Sequence, residues 1–362
     1  MRILLATGRS GGHIFPALAL IDAVKGRYPQ TEALLLLPES RLTRKLDLSK
    51  YKVKYLSDAS LSPGINPDNI IAVFQWVKSV FESFFFLVSF KPDVVVGFGS
   101  KSSIACLMLA WLFRIETLIH EQNVVPGRAN MLLAKFADKV AISFERTCDY
   151  LKVSPEKIIY SGNPLRPALK RIEKSSCLGF FSLEEEKITL LVLGGSQGSD
   201  RVNSAVLQAL REFPDRKRLQ VIHMAGNKGQ DSLRAGYADL GIRHKVFGFF
   251  NSMQIAYSAA DIVISRAGAT TLAEIIYFRI PAILLPYPFA RSHQGENARV
   301  LVEAGAARVI EDEALNSVSL SKELSGLLSG QGLSQMRSMY QRIKGPGADK
   351  LLAEAVIGRR VR

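Results

Sequence analysis

The sequence predicts an α/β protein with two doubly wound domains, each built on a parallel β-sheet that has helices on both faces. At 362 residues, the chain is too long for one ordinary hydrophobic core and suits two domains. Strand-like and helix-like segments alternate along its length, which is the pattern of repeated βα units. A glycine-rich turn between a strand and a helix occurs in each half, at residues 8–13 and 194–199.

Short apolar runs predict the strands of both sheets. Residues 94–96 (VVV) and 262–264 (IVI) are entirely apolar, as expected for parallel strands that are buried on both faces. The predicted strands cover 2–7, 33–37, 93–97, 117–120, 138–143 and 157–161 in the first half, and 188–193, 219–224, 245–248, 261–265, 281–286 and 307–310 in the second. Helix-like stretches lie between them and include 14–27, 200–212, 270–279 and 294–304.

The domain boundary is predicted just after Gly162, where this glycine and the nearby Pro164 and Pro167 interrupt regular structure. We expect three parts: an N-terminal domain (1–162), a C-terminal domain (163–344) and a final helix that returns to the N-terminal domain (345–362).

The chain is strongly basic, with 47 Lys and Arg residues against 33 Asp and Glu, and a formal net charge of +14. This charge favours anionic partners such as nucleic acid, an anionic membrane surface or phosphorylated substrates, although it also serves to keep an apolar chain soluble. No base-stacking or groove-reading motif supports nucleic acid. Three widely spaced cysteines fit a reducing cytoplasm, and we expect no signal peptide because the chain opens on its first strand.

The first glycine-rich turn places Ser10, Gly11, Gly12 and His13 at the start of a helix. Backbone N–H groups at a helix N-terminus can approach a phosphate, although one such turn is a weak signal because βα folds of many functions contain it. The positive end of the helix favours a neutral imidazole, which can accept a proton from an attacking hydroxyl group. His13 is therefore a candidate general base, and the alternative is a capping or packing histidine.

Four consecutive polar residues, His120, Glu121, Gln122 and Asn123, stand at the end of a predicted strand. Open α/β sheets bind their ligands at the carboxyl ends of strands. At this point a ligand site and a solvated loop are equally open.

A third turn, at 266–271, follows the predicted strand at 261–265 and carries small residues and hydroxyl groups that can contact a diphosphate. Glu274 lies one helical turn further and can accept hydrogen bonds from a ribose diol, although a surface helix position is the commoner fate of a glutamate. Gln294 and Asn297 suit sugar hydroxyl groups because their amides both donate and accept hydrogen bonds.

The sequence contains no Asp-x-Asp motif and no His, Cys or Asp cluster with metal-ligand spacing, so we expect neither a metal nor a cofactor. A reaction that releases a diphosphate would then rely on helix N-termini and basic side chains, of which Arg166 at the domain junction is a candidate. The absence of a Gly-x-x-x-x-Gly-Lys-Ser/Thr motif argues against a P-loop ATPase.

Residues 69–90 form an apolar and aromatic stretch in which only Lys78 and Glu82 carry charge. A core helix is the usual meaning of this composition, but the apolar positions exceed what one buried face needs. A helix that dips into an anionic bilayer surface is the alternative. No uncharged run reaches the roughly 18 apolar residues of a spanning helix, so we expect none to cross a membrane.

Taken together, these residues resemble the MurG family of bacterial glycosyltransferases over nearly the whole chain. The motifs that carry the resemblance lie at 11–19, 120–123, 162–164, 194–198, 266–274 and 294–297. The resemblance implies the GT-B fold, in which two Rossmann-like domains face each other across a cleft. It also implies inverting transfer of N-acetylglucosamine from UDP-N-acetylglucosamine to the muramyl C4 hydroxyl group of lipid I, which is linked to undecaprenyl diphosphate. The product would be lipid II, made at the cytoplasmic face of the bacterial inner membrane by a peripheral enzyme.

The same resemblance implies roles for particular residues. His13 would be the catalytic base, with Ser10, Gly11 and Gly12 lining the site near the donor and acceptor diphosphates. Contacts to the nucleotide, diphosphate or sugar would come from Asn123, Arg166, Ser196, Phe250 (at the uracil), Ala269, Thr270, Thr271, Leu272, Ala273, Glu274, Gln294 and Asn297. Membrane contact would involve Phe74, Trp76, Val77 and Phe81.

Two positions depart from the family pattern. The first loop commonly has glycine and threonine where Arg9 and Ser10 stand here, and Arg9 adds a positive charge beside the expected diphosphate site. Thr270 occupies a position where leucine is common. Both departures bear on the details of acceptor recognition.

Three other activities are compatible with the sequence. One is a transferase with a different lipid acceptor, such as diacylglycerol, and acceptor choice distinguishes it. A UDP-N-acetylglucosamine 2-epimerase of the same fold would release UDP with no acceptor present. A nucleotide-sugar-binding or membrane-scaffold protein would bind its ligand without any turnover.

Overall fold

The structure is a computed structural model that describes residues 1–40, 42–58, 67–195, 198–226, 228–288, 293–343 and 347–358, with only the backbone at 67–70. The chain divides into two compact units. Unit 1 comprises Met1–Pro167 and Gly345–Arg362, and unit 2 comprises Ala168–Lys344. Each unit contains one parallel β-sheet, in agreement with the predicted fold class.

Within the described parts of the chain, seven strands form the sheet of unit 1, and six form the sheet of unit 2. Unit 1 contains β1 (Arg2–Ala6), β2 (Glu32–Pro38), β3 (Lys52–Leu56), β4 (Val94–Gly97), β5 (Glu116–Glu121), β6 (Lys139–Ile142) and β7 (Ile158–Tyr160). Unit 2 contains β8 (Ile188–Leu193), β9 (Leu219–Met224), β10 (Arg243–Phe247), β11 (Ile262–Ser265), β12 (Ala282–Leu284) and β13 (Ala307–Val309). The spatial orders are β3-β2-β1-β4-β5-β6-β7 and β10-β9-β8-β11-β12-β13.

Helices connect the strands of both sheets. They are α1 (Gly11–Arg27), α2 (Pro67–Phe90), α3 (Lys101–Leu112), α4 (Arg128–Leu133), α5 (Lys174–Phe181), α6 (Asp200–Glu212), α7 (Gln230–Asp239), α8 (Met253–Ala259), α9 (Ala269–Phe278), α10 (His293–Glu303), α11 (Ser317–Leu328), α12 (Gly332–Met339) and α13 (Ala348–Ile357). Short 3-10 turns lie at Glu145–Tyr150, Pro155–Lys157, Arg216–Arg218, Asp312–Ala314 and Tyr340–Arg342.

Every strand predicted from the sequence is confirmed, but β3 was missed. This strand pairs only with β2 and forms an edge of its sheet. Its sequence, KVKYL, alternates lysine with apolar residues, and Tyr55 is exposed. An edge strand that meets solvent needs no continuous apolar run, so it lacks the pattern that revealed the buried strands.

The sheet of unit 1 is buried on both faces, which explains why its central strands are apolar throughout. Successive residues of a strand point to opposite faces. Ile3 and Leu5 of β1 belong to a core cluster that includes residues of α1 and α13, whereas Leu4 belongs to a cluster with residues of α2 and α3. Doubly wound packing follows directly from this alternation.

The last helix, α13, is part of unit 1. Its Leu352 and Val356 lie in the same buried cluster as residues of α1. Lys139 Nζ donates to the Ala355 carbonyl oxygen at 2.8 Å, and the Leu165 amide donates to Asp349 Oδ1 at 3.1 Å. The chain therefore leaves unit 1 after β7, builds unit 2 and ends on unit 1.

Both sheets contain one topological switch point, where the strand order reverses. In unit 1 it lies between β1 and β4, and in unit 2 it lies between β8 and β11. The loops that leave these strands at their carboxyl ends diverge and open a crevice, which is where open α/β sheets bind ligands. All three glycine-rich turns found in the sequence follow one of these four strands.

Candidate functional site

His13 lies at the switch point of unit 1, in the first turn of α1. Its Nδ1 atom is 2.9 Å from the hydroxyl oxygen of Ser10, the residue that precedes the helix. The side chain is half-buried. If Nδ1–H donates to Ser10, the Nε2 atom keeps a lone pair that can accept a proton from a substrate. The contact therefore orients the ring as a candidate base requires.

Burial lowers the pKa of His13 from 6.5 to about 4, so the imidazole is neutral at neutral pH. The neutral form is the one that can accept a proton. A base with such a low pKa is weak, however, because proton transfer is most effective when the pKa lies near the working pH. Negative charge placed beside the ring by a bound substrate would raise the pKa again.

The polar run after β5 is a buried hydrogen-bond network. His120 Nε2 donates to the Gly162 carbonyl oxygen at 3.0 Å, while its Nδ1 lies 3.0 Å from the Gln122 amide nitrogen. Glu121 accepts from the backbone amides of Asn123 and Gly127 at 2.8 and 3.0 Å. The solvated-loop alternative is therefore wrong for His120, Glu121 and Gln122, which are buried. Asn123, the last residue of the run, is half-buried and has a part of its surface available to a ligand.

Asn130 is a candidate that the sequence did not single out. It is buried, its amide nitrogen donates to Glu121 Oε2 at 2.8 Å, and its Oδ1 atom has no hydrogen-bond partner among the described residues. Gly99 of the neighbouring loop has φ +85°, and a Cβ atom there would lie 3.5 Å from both Asn130 Oδ1 and His13 Nε2. The tertiary fold thus brings these two side-chain atoms to the same point.

Arg166 also belongs to unit 1. Its guanidinium group lies over the ring of Phe15, 4.3 Å from the centroid. The Nε–H group is buried and has no partner in the part of the chain that the structure describes. Phe15 follows His13 in α1, so the structure places this cation close to the first glycine-rich turn.

The second glycine-rich turn joins β8 to α6 in unit 2. A Cβ atom at Gly194 would lie 2.7 Å from the Ser199 amide, and one at Gly198 (φ +79°) would lie 2.4 Å from the Ala225 carbonyl oxygen. The tight backbone approach therefore requires glycine at both positions. Ser196, a predicted contact in this turn, lies outside the described residues.

A buried arginine links the two turns at the switch point of unit 2. Arg266 Nη1 donates to Asp312 Oδ1 at 2.6 Å and to the carbonyl oxygens of Leu285 and Pro286 at 3.1 and 3.3 Å. Its Nη2 donates to Ser199 Oγ at 3.2 Å, and Ser199 caps α6. Sequence analysis does not predict this role, because Asp312 lies far from Arg266 along the chain.

The third turn leads into α9, whose first-turn N–H groups are not used within the helix and can meet an anion. Ala269 and Thr270 are buried, and Thr271 and Ala273 are half-buried. Leu272 does not fit its predicted role, since its side chain is fully buried and its N–H donates to the Gly268 carbonyl oxygen at 3.0 Å.

Glu274 is nearly buried and is held by a tyrosine. Tyr257 Oη donates to Glu274 Oε2 at 2.7 Å. The surface-helix alternative for Glu274 is therefore wrong. A carboxylate that is fixed on one side by a hydroxyl group still has lone pairs with which it can accept hydrogen bonds from a diol.

Gln294 and Asn297 both bond to the third turn. Gln294 Oε1 accepts from the amides of Ala267 and Tyr287 at 3.1 and 3.0 Å, and this arrangement points the oxygen at the protein backbone. Asn297 is fully buried, and its Nδ2 atom donates to the Ala267 carbonyl oxygen at 3.2 Å. Asn297 therefore positions the turn, whereas the amide nitrogen of Gln294 is the group suited to a sugar hydroxyl.

Phe250 packs in an aromatic cluster of unit 2. Its ring centroid is 4.8 Å from that of Phe247, 5.6 Å from Phe181 and 6.2 Å from Phe180. The ring of Phe250 is half-buried, so the cluster fixes it while a part of its surface remains available for a planar ligand.

The predicted membrane contacts are exposed on α2. Phe74 and Phe81 are each 69% exposed to solvent, and Trp76 and Val77 are 51% and 40% exposed. The end of α3 extends this apolar patch, because Phe113 is exposed and its ring centroid is 5.9 Å from that of Phe84; exposed neighbours in sequence are Trp111 and Leu112.

Judged by length and composition alone, one helical segment of the described chain, Ile71–Phe90, could cross a membrane. Its mean hydropathy is 1.5, and 22% of it is buried. Core helices of water-soluble proteins pass the same test, and Leu87 and Phe90 do lie in the core of unit 1. The segment passes this test although it contains Lys78 and Glu82. These two charges divide it into short uncharged runs, which is why the sequence analysis predicts no spanning helix.

The two Rossmann-like units, each with a ligand crevice at its strand carboxyl ends, define the GT-B class of fold. A solved structure titled MurG from Acinetobacter baumannii is similar over 99% of both chains, with a TM-score of 0.75 and 24% identity. A putative UDP-N-acetylglucosamine 2-epimerase from Listeria monocytogenes is similar at a TM-score of 0.70 and 14% identity, covering 98% of this chain and 94% of that one. At these identities both comparisons show the fold.

Sequence comparisons identify the family within that class. The family model described as the glycosyltransferase family 28 N-terminal domain matches residues 3–142, and the C-terminal domain model matches residues 189–348. A protein of Thermodesulfovibrio yellowstonii is 36% identical over 91% of this chain and 90% of its own length. It is named UDP-N-acetylglucosamine–N-acetylmuramyl-(pentapeptide) pyrophosphoryl-undecaprenol N-acetylglucosamine transferase. The chain belongs to glycosyltransferase family 28 and, within it, to the MurG family.

Proposed function

We propose that this protein transfers N-acetylglucosamine from UDP-N-acetylglucosamine to the muramyl C4 hydroxyl group of lipid I and forms lipid II. The observation that carries the proposal is family membership: a relative that matches the chain nearly end to end bears the name of this transferase. The half-buried, neutral His13 at the switch point of unit 1 supports the chemistry.

We propose that the two units divide the substrates. Unit 2 carries the second and third glycine-rich turns, the diol acceptor Glu274 and the aromatic ring of Phe250, which together suit a nucleoside diphosphate sugar. Unit 1 carries His13 and the apolar patch, which suit a lipid-linked acceptor that approaches from a membrane.

The proposed reaction is a single displacement at the anomeric carbon, with inversion. His13 Nε2 takes the proton of the acceptor hydroxyl group while its oxygen forms the new bond, and the bond to UDP breaks with the electron pair on the diphosphate. The N-termini of α6 and α9 would stabilise that charge. The acceptor's own diphosphate, bound at the first glycine-rich turn, would raise the pKa of His13 and so strengthen the base.

Mass spectrometry of the products tests this proposal. Purified protein is incubated with UDP-N-acetylglucosamine, with and without a short-chain lipid I analogue. We expect an acceptor heavier by one N-acetylhexosamine, and UDP released only when the acceptor is present. Release of UDP without acceptor would favour an epimerase, and an unchanged donor in both samples would favour a binding protein or a different acceptor.

We also propose that the protein works as a peripheral protein at the anionic cytoplasmic face of the inner membrane. Support comes from the exposed aromatic side chains of α2 and the net charge of +14. Co-sedimentation with phosphatidylglycerol vesicles tests this. The double variant Phe74→Ser, Phe81→Ser should bind at least tenfold more weakly, whereas Val318→Ser, which removes an equally exposed apolar residue from unit 2, should bind normally.

A further inference from the structure

A cavity in unit 1 is not explained by any of the groups assigned above. It has a volume of about 270 Å³ and lies between the end of β3, the inner side of α2 and the start of α3. Its lining residues are Ser57, Asp58, Ala72, Val73, Trp76, Ser79, Lys101 and Ser102.

One side of this cavity is fastened to the first glycine-rich turn. The Arg9 guanidinium forms an ion pair with the Asp58 carboxylate, and Ser102 Oγ donates to the Thr7 carbonyl oxygen at 2.8 Å. Both bonds join a lining residue to the loop that follows β1. The cavity therefore begins close to the turn in which His13 lies.

The other side of the cavity reaches the apolar patch. Val73 and Trp76 line it, and both are more than half exposed. Trp76 is also one of the proposed membrane contacts on α2. A molecule that occupied the cavity could therefore extend from the first glycine-rich turn at one end to the membrane-facing surface at the other.

The lining selects an apolar occupant with an anionic end. Ala72, Val73 and Trp76 supply apolar surface, and Lys101 at the start of α3 supplies a positive charge. The charges of Asp58 and Arg9 offset each other in their ion pair. A cavity of about 150 Å³ holds one benzene molecule, so this one has room for one or two five-carbon units. Free phosphate would leave the apolar wall unused, and a simple hydrocarbon would leave Lys101 unused.

We propose that this cavity binds the isoprenoid units next to the diphosphate of the lipid-linked acceptor, with Lys101 facing the diphosphate. This inference rests on the proposed function, because it assumes that the acceptor carries a polyprenyl diphosphate. Arg9 departs from the usual family loop, and its ion pair with Asp58 closes one wall of the cavity. The cavity then gives the enzyme a means to recognise the lipid chain as well as the sugar.

Kinetics with two acceptors test the proposal. They share the sugar, peptide and diphosphate, and carry either a two-unit isoprenyl chain or a methyl group. We expect the wild type to show at least a tenfold lower KM for the isoprenyl acceptor. Ala72→Leu, which fills the cavity, should abolish that difference and leave the KM for UDP-N-acetylglucosamine unchanged. Ser89→Leu adds a comparable bulk on the exposed part of α2 and should behave as wild type.

An unchanged ratio of the two KM values in Ala72→Leu would overturn the proposal. If the wild type transfers sugar to neither acceptor, the proposed function fails instead, so the two failures are distinguishable. Photolabelling of the wild type needs no variant. A diazirine on the second isoprene unit should label peptides that contain residues 72–79 or 101–102. Labelling elsewhere, or equal labelling of these peptides by a diazirine phosphatidylglycerol, would contradict an acceptor-specific cavity.

Discussion

The two units have the same kind of parallel sheet and the same switch point, yet their crevices are built differently. In unit 1, the His13 ring contacts the Ser10 hydroxyl group through Nδ1, and Asn130 Oδ1 has no hydrogen-bond partner among the described residues. In unit 2, Arg266 bonds to three separate segments, and Gln294 bonds to two backbone amides. At these positions, unit 1 keeps polar atoms available, whereas unit 2 uses them to fix the backbone.

This difference fits two chemical tasks. A group that accepts a proton must keep a lone pair available, so its surroundings cannot satisfy every atom. A backbone cradle for a diphosphate must hold its N–H groups in place before the ligand arrives, since preorganised dipoles stabilise charge most effectively. The same fold serves both tasks because the loops at the switch point carry the function and the sheet carries the stability.

The largest expected effect comes from His13. His13→Ala should lower kcat about 1000-fold, because general base catalysis contributes roughly 100- to 10,000-fold. The KM for UDP-N-acetylglucosamine and the melting temperature should change little, since His13 lies in unit 1 and is only half-buried. Steady-state kinetics and a thermal melt check this. Ser10→Ala keeps the ring but loses its orienting contact and should cost about tenfold; near-normal turnover of His13→Ala would contradict the assignment.

A second change would test whether unit 2 depends on its buried arginine. Arg266→Met should destabilise the protein by about 3 kcal/mol, because it removes the partner of a buried carboxylate, Asp312. It should also raise the KM for UDP-N-acetylglucosamine far more than it lowers kcat. Urea unfolding and kinetics measure the two effects. Arg201→Met removes the half-exposed partner of the same Asp312 and should cost less than about 1 kcal/mol.

Acid should weaken both units through histidines whose pKa is lowered by burial. In unit 1 the pKa values of His13 and His120 fall to about 4, and in unit 2 that of His223 falls to about 3. The unfolded chain, with histidine pKa values near 6.5, therefore binds protons first as the pH falls. Stability is retained above pH 6.5 and is lost as the pH falls from 6.5 to the pKa of each folded histidine, by about 2 kcal/mol for each at pH 5.

Urea unfolding at pH 7.5 and pH 5 measures this loss. His120→Gln and His223→Gln should each reduce the difference between the two pH values. If a variant keeps the full wild-type difference in unfolding free energy between pH 7.5 and pH 5, the histidine that was replaced does not contribute to the acid sensitivity.

The smallest expected effect concerns the ribose. Glu274→Gln should weaken UDP binding about tenfold, the cost of a hydrogen bond to a charged acceptor. Binding of 2′,3′-dideoxy-UDP should not change, because that ligand lacks the diol. Isothermal titration calorimetry with the two ligands provides the comparison. Tyr257→Phe, which removes the hydroxyl group that donates to Glu274 Oε2 and keeps the carboxylate, serves as the matched control. An equal loss of affinity for UDP and for 2′,3′-dideoxy-UDP would show that Glu274 does not bind the ribose diol.

Much of the fold could be predicted because its signals are local. β4 and β11 are apolar runs, and glycine marks the turns after β1 and β8. A Cβ atom would meet the backbone at Gly194 and Gly198 and the side chains of Ser100 and His13 at Gly8. The edge strand β3 lacked such a run and was missed. In the candidate site, His13 and Glu274 could be proposed from their positions after glycine-rich turns, and the structure gives each a matching environment.

Other roles depended on partners that are distant in sequence. Leu272 and Asn297 looked like ligand contacts but are buried, and Arg266 was seen only as a part of a turn. Asn130 became a candidate because the fold brings its Oδ1 and His13 Nε2 to the same point beside Gly99.

The alternation of strands and helices, the places where turns need glycine, and the family can be predicted from the chain alone, because they follow from local backbone geometry and residue pattern. Which polar side chains stay available, and which hold loops in place, depends on packing in three dimensions. That division depends on the strand order, which places β4 beside β1 and β11 beside β8. A hydrogen-bond partner is chosen by distance in space, and distance along the chain does not reveal it.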